Sequence, residues 1–112
     1  RGGVILAGVK LSLHALFSGT AQLPDIALEP PGKVICSVTE DSLQAGAIYG
    51  AAAMADGLLE RMEEELGQPC TAVATGGLSG IITPYCRRRI RHDDSLLLRG
   101  LALIWRKNCG NR

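Results

Sequence analysis

Residues 40–66 read as one long helix, and this segment constrains the fold more than any other. Thr39 stands where an N-cap is expected, and Glu40 and Asp41 follow at the positive end of the helix dipole. Gly67 is the expected C-terminal stop, with Pro69 just beyond it. The first half is crowded with small residues, among them Ala45, Gly46, Ala47, Gly50 and Ala51, which would let a second backbone approach closely. The second half predicts Leu58, Leu59, Met62 and Leu66 facing inward, with Glu63, Glu64 and Glu65 on a solvated face.

The other elements are shorter. Gly2-Gly3 runs into an apolar stretch, so residues 3–8 read as a strand inside a sheet, with partners that should lie upstream. On this reading Arg1 marks a cut within a larger fold, and the sheet should show a gap or unpaired edge at residues 3–8. Val9, Leu13, Leu16 and Phe17 have helical spacing, predicting a helix over 9–18 that stops at Gly19-Thr20. Leu23-Pro24 and Glu29-Pro30-Pro31-Gly32 mark a loop with an extended piece at 26–28, and 34–36 could be another. Residues 70–75 read as a strand, Gly76-Gly77 as a sharp turn, and 78–85 as a short helix limited by Pro84. Arg87 through Arg91 form a basic run read as a solvated face. Asp93 or Asp94 should cap a last helix through about Lys107, with Leu97, Leu101, Ile104 and Trp105 as its apolar stripe. The order predicts an α/β domain with helices flanking a sheet.

With 112 residues, 46% of them apolar, the chain has enough material for one domain burying roughly two thirds of its unfolded surface. A net charge of +1 argues against general attraction to nucleic acid or anionic membrane, and no apolar run approaches a membrane span. Cys36, Cys70, Cys86 and Cys109 form no Cys-x-x-Cys pair, and His14 and His92 lack finger spacing, so zinc is not expected. The cysteines are expected to be reduced and buried, as in a cytoplasmic protein.

Gly76-Gly77 is the leading candidate site. A strand, two glycines and a helix bring bare backbone N–H groups to an anion, as a nucleotide site requires, although a plain tight turn explains the same residues. Thr39 is explained as an N-cap, and its hydroxyl could also face a ligand. His14 reads as an ordinary histidine on an apolar helix. No aspartate stands out as a general base.

Taken in order, several pieces resemble the C-terminal half of type III pantothenate kinases: Gly2-Gly3-Val4-Ile5 and Gly8, Leu13-His14-Ala15-Leu16-Phe17, Thr20 to Pro24, Thr39, Gln44-Ala45-Gly46, Tyr49-Gly50, Ala74-Thr75-Gly76-Gly77-Leu78, and 94–108. The resemblance implies the second half of an actin-like (ribonuclease H-like) kinase fold, a mixed sheet flanked by helices. It implies a parent that phosphorylates pantothenate with ATP, the first step towards coenzyme A, using magnesium and a monovalent cation such as potassium or ammonium. It also implies a homodimer in which the small-residue face of the long helix is a contact. Thr39 matches the threonine that touches pantothenate, and Gly76 and Gly77 match the turn near the adenosine end of ATP. The phosphate-binding Asp-x-Gly-Asn segment, the catalytic aspartate and the cation site would lie upstream, so these residues alone are expected to be inactive. The family usually has proline where Ala7 stands, and glycine, a polar residue and asparagine where Cys36-Ser37-Val38 stand. Those departures favour an alternative, a non-catalytic relative acting as a regulatory or transcription accessory module.

Overall fold

The structure is a computed structural model that describes residues 2–17 and 28–109. The expected stop at Gly19-Thr20 and most of the extended piece at 26–28 lie outside the described residues. Helix α1 spans Val9–Phe17 and helix α2 spans Thr39–Leu66. Strand β1 (Ala72–Ala74) leads into the short helix α3 (Ser79–Ile82) and a 3-10 turn at Thr83–Tyr85. Strand β2 (Ile90–His92) and helix α4 (Leu96–Cys109) complete the order.

Helix α2 ends as its sequence requires. Gly67 adopts φ 72°, the left-handed region, and its N–H donates to the Glu63 carbonyl at 2.8 Å. The other end differs from expectation. Val38 is the N-cap, with extended φ/ψ of −99° and 136°, and no side chain caps the helix. Thr39 is therefore the first helical residue and not the cap, one position too far along for its oxygen to take the capping geometry. Ser42 anchors this entry instead, its N–H on the Val38 carbonyl at 2.9 Å and its hydroxyl on the Cys36 carbonyl at 3.2 Å. Residues 34 and 35 form a bend here, and 34–36 form no strand.

The buried residues Gln44, Ala45, Ile48 and Ala52 lie along one stripe of α2 at helical spacing. Helix α1, helix α3 and the 3-10 turn pack against this helix. Tyr49 also helps fasten it, meeting Tyr85 edge-to-face with ring centroids 5.5 Å apart while its hydroxyl donates to the Pro31 carbonyl. The expected large core is not formed. Among the described residues, only Ala45, Ile48 and Ala52 are buried apolar side chains, and the radius of gyration is 17.6 Å, against roughly 13 Å for a close-packed domain of this length. The expected inward stripe of α4 faces solvent, with Leu97 70% and Trp105 64% exposed, and Leu66 on α2 is exposed as well. An amphipathic face is buried only when another surface covers it, and the described residues do not cover these. The cysteines follow the same pattern: all four are free, Cys70 and Cys109 are exposed, and none is fully buried.

Strands β1 and β2 pair in parallel, with Ala72 opposite Ile90, Val73 opposite Arg91 and Ala74 opposite His92. The Asp93 N–H extends the ladder to the Ala74 carbonyl at 2.8 Å. Parallel neighbours need a crossover, and α3 with the 3-10 turn provides it. Strand β2 overlaps the end of the basic run that the sequence assigns to a solvated face. Residues 3–8 depart in the opposite direction, forming no strand. Of these, Leu6, Ala7 and Gly8 share the lining of a cavity of about 590 Å³ with Ala72, Ala74 and Ile90 of the sheet. A strand exists only where its N–H and C=O groups meet a neighbour's, and across this gap they do not.

Two acids of α2 secure the approach to β2. Asp56 accepts the Arg87 N–H at 2.8 Å and the Arg88 N–H at 3.1 Å. Glu63, expected on a solvated face, accepts the Cys70 N–H at 3.1 Å and pairs with the Arg88 guanidinium. The Cys70 hydrogen bond, reinforced by Arg88, lowers the Glu63 carboxyl below its usual value. A carboxyl lowered in the folded state contributes stability above its unfolded value and loses it as pH falls through the lowered one. Wild-type protein is therefore expected to exceed Glu63→Gln in stability near neutral pH, with the gap closing as pH drops below the ordinary glutamate range. Urea unfolding of both proteins across that range measures the gap, and a constant difference contradicts the assignment.

Candidate functional site

The chain leaves β1 at Ala74, and after Thr75 reaches Gly76, whose φ of +105° is accessible to glycine and strained for any side chain. Gly77 follows, and a Cβ built on either glycine would meet nothing within 4 Å, so both face open space. The Gly76 carbonyl accepts the Ser79 N–H at 3.3 Å and the Ser79 hydroxyl at 2.7 Å, which closes the turn onto α3. This is the strand, glycine turn and helix that the sequence predicts, with the helix reduced to Ser79–Ile82 before Pro84 converts the chain to a 3-10 turn.

Three further residues surround the turn. The Ser79 hydroxyl lies 2.6 Å from Nδ1 of His92, at the end of β2, and Nε2 of His92 lies 2.5 Å from the Asp94 carboxylate. The imidazole rests against Gly80, where an added Cβ would come within 3.6 Å of Nε2, an ordinary contact. Asp93 does not cap α4 as expected: the helix starts at Leu96, with the Ser95 carbonyl accepting the Arg99 N–H, and Asp93 instead braces the residue before it, accepting the Ser95 N–H at 3.0 Å and hydroxyl at 3.1 Å while pairing with Arg99. Sequence reading missed the Ser79, His92 and Asp94 cluster because its members are joined by the β1–β2 pairing. The available hint was a serine two residues after the glycine pair.

Thr39 is exposed on the first turn of α2, and its hydroxyl is not committed to capping. A cavity of about 460 Å³ opens further along that helix, between the small residues Gly46, Ala47 and Gly50 and the side chains of Leu13 and Leu16 on α1. Gly46 and Gly50 have open space at their Cβ positions, so no other backbone among the described residues approaches their face closely. A third cavity, of about 390 Å³, lies beside Tyr49, Asp56 and Tyr85. Thr39, Gly76 and Gly77 line none of these three cavities.

Nucleophilic alternatives are weak. Burial, and secondarily the Asp56 charge, raise the Cys86 thiol above its usual value, which disfavours the thiolate. His14 is exposed on α1. Among the described residues, no three His, Cys, Asp or Glu side chains gather to hold a metal ion, and no helix is long and apolar enough to cross a membrane.

Residues 1–61, which include Thr39, match the family model for type III pantothenate kinase. The chain belongs to the type III pantothenate kinase family. A type III pantothenate kinase from Frankia alni is 44% identical over 107 residues, covering 96% of this chain and 43% of that protein. One from Solibacter usitatus is 43% identical, covering 96% of the chain and 41% of the relative. One from Koribacter versatilis is 43% identical over 110 residues, covering 98% and 40%. The chain thus spans only 40% to 43% of the length of these type III pantothenate kinases. The glycine turn lies beyond the residues matched by the family model, within the stretch aligned to the relatives.

Proposed function

We propose that this chain is the C-terminal domain of an ATP-dependent pantothenate kinase, contributing part of both substrate sites. The observation that carries the reading is the 44% identity to a named pantothenate kinase over 96% of the chain. Thr39 is the pantothenate contact, supported by a hydroxyl that is exposed and not used as a cap. Gly76 and Gly77 pass along the adenosine end of ATP, supported by the open space at both glycines. The pantothenate hydroxyl attacks the γ-phosphorus and loses its proton, and ADP departs. Such a step depends on positioning and charge neutralisation more than on covalent help from the protein. The base is, as the family resemblance implies, an aspartate outside these 112 residues. Magnesium and the monovalent cation would, as the family resemblance implies, be held mainly by residues outside these 112; among the described residues no three His, Cys, Asp or Glu side chains gather. The resemblance also supports a cytoplasmic homodimer.

The test is pantothenate-dependent release of ADP from ATP by the full-length protein carrying these residues. Thr39→Val is expected to raise the pantothenate KM by roughly tenfold, the scale of one lost hydrogen bond, with the ATP KM unchanged. No pantothenate-dependent turnover in the wild type would overturn the reading. Val38 favours a second reading: it occupies the N-cap, where the family commonly has asparagine, and leaves the helix without a side-chain cap. Nucleotide binding without phosphorylation of pantothenate would support a non-catalytic accessory module.

A further inference from the structure

We propose that Ser79 and His92 are positioning residues for the glycine turn, forming a proton-dependent latch that holds Gly76 and Gly77 in shape for a nucleotide. The proposal rests on the reading of that turn as the nucleotide contact. Counting hydrogens leads to the latch. A serine hydroxyl has one hydrogen, and a carbonyl oxygen can only accept. The 2.7 Å contact between Ser79 Oγ and the Gly76 oxygen therefore uses that hydrogen. The 2.6 Å contact between Ser79 Oγ and His92 Nδ1 must then be made by a ring N–H. Nε2 lies 2.5 Å from a carboxylate oxygen of Asp94 and donates as well. An imidazole that donates from both nitrogens is the imidazolium.

Loss of one proton rearranges this set. Nε2 keeps its hydrogen and still donates it to Asp94, and Nδ1 becomes an acceptor. The Ser79 hydroxyl then turns towards Nδ1 and away from Gly76. The Gly76 carbonyl retains only the Ser79 backbone N–H, at 3.3 Å. This is the residue held at φ +105°, so the hydroxyl bond is lost where the backbone is least usual. His92 is fixed in place by its pairing with Ala74, which makes the latch a tie between the end of β2 and the turn that follows β1.

The charged surroundings of His92 come mainly from its own strand and the loop after it: Arg91, Asp93 and Asp94, with Asp93 paired to Arg99. Strand β1 and helix α3 contribute no titratable side chain, and the 3-10 turn contributes Tyr85. Asp94 is thus the acid in direct contact with the ring.

The experiment uses the full-length protein and two readouts, the amide resonances of Gly76 and Gly77 without ligand and the dissociation constant for ATP. His92→Leu is expected to shift both amides and weaken ATP binding roughly tenfold, the scale of one hydrogen bond to a charged group. His92→Asn, whose side-chain amide can donate to Ser79 from the Nδ1 position, is expected to recover most of the affinity. Ser79→Ala should reproduce the loss, and adding His92→Asn to it should recover nothing. Wild-type affinity should fall with rising pH more steeply than that of His92→Asn, which controls for titration of the ATP phosphates. Unmoved glycine amides in His92→Leu would overturn the latch. Equal loss in the Leu and Asn variants would also overturn it, showing that the histidine is needed only for packing. If the amides move while no variant, Gly77→Ala included, alters ATP affinity, the nucleotide reading has failed. The proposed ligand is then overturned with it.

Discussion

Ile48→Ala is expected to destabilise the protein by about 2–5 kcal/mol, the range for truncating a buried isoleucine to alanine. Ile48 is the one fully buried large side chain among the described residues, at 0% exposure. It lies on the stripe of α2 shared with Gln44, Ala45 and Ala52, on the helix against which α1, α3 and the 3-10 turn pack. Truncation removes transfer free energy and leaves a cavity that the small neighbouring alanines cannot fill. Leu97→Ala is the contrast, because Leu97 is 70% exposed and should change stability by no more than about 0.5 kcal/mol. Urea unfolding of the full-length protein measures both. Equal effects would mean that the α4 face is covered and that the core extends well beyond α2.

Gly76→Val is expected to abolish most nucleotide binding and to destabilise the fold by about 1–3 kcal/mol, the cost of holding a residue in a sparsely populated backbone region. The cause is the φ of +105°, which a β-branched side chain tolerates poorly. Open space around Gly76 does not help, since the strain is within the backbone itself. Gly77 separates the two effects. It has the same open surroundings without a positive φ, so Gly77→Ala should unfold almost like the wild type while weakening ATP binding. Unfolding curves and ATP titrations of both variants decide the matter. A Gly76→Val protein that binds ATP normally would remove the turn from the nucleotide site.

Much of the frame could be read from the residues in order. Acidic residues at one end and Gly67 at the other bound α2 to within one residue of Thr39–Leu66. The glycine pair after β1 is a turn, as read, with Gly76 taking the positive φ. The pantothenate kinase relationship was also legible, because it depends on an ordered series of motifs and not on their spatial arrangement. The errors share a different origin. Residues 3–8 have the composition of a strand and no pairing partner among the described residues, while Ile90–His92 overlap a basic run and pair with β1.

The sequence by itself determined where the long helix begins and ends, where the chain must turn through glycine, and which family the chain resembles. Each depends on neighbouring residues: dihedral preferences, capping and local order. The tertiary structure alone decided which extended segments are strands, which apolar faces are covered, and what the acids and His92 do. Ser79 meets His92 across 13 residues, and Asp56 reaches Arg87 and Arg88 across 31 and 32. Hydrogen bonds between such distant positions leave no periodic trace in one sequence, because their geometry is set by the parallel pairing of β1 with β2 and by the path of α2 beside them.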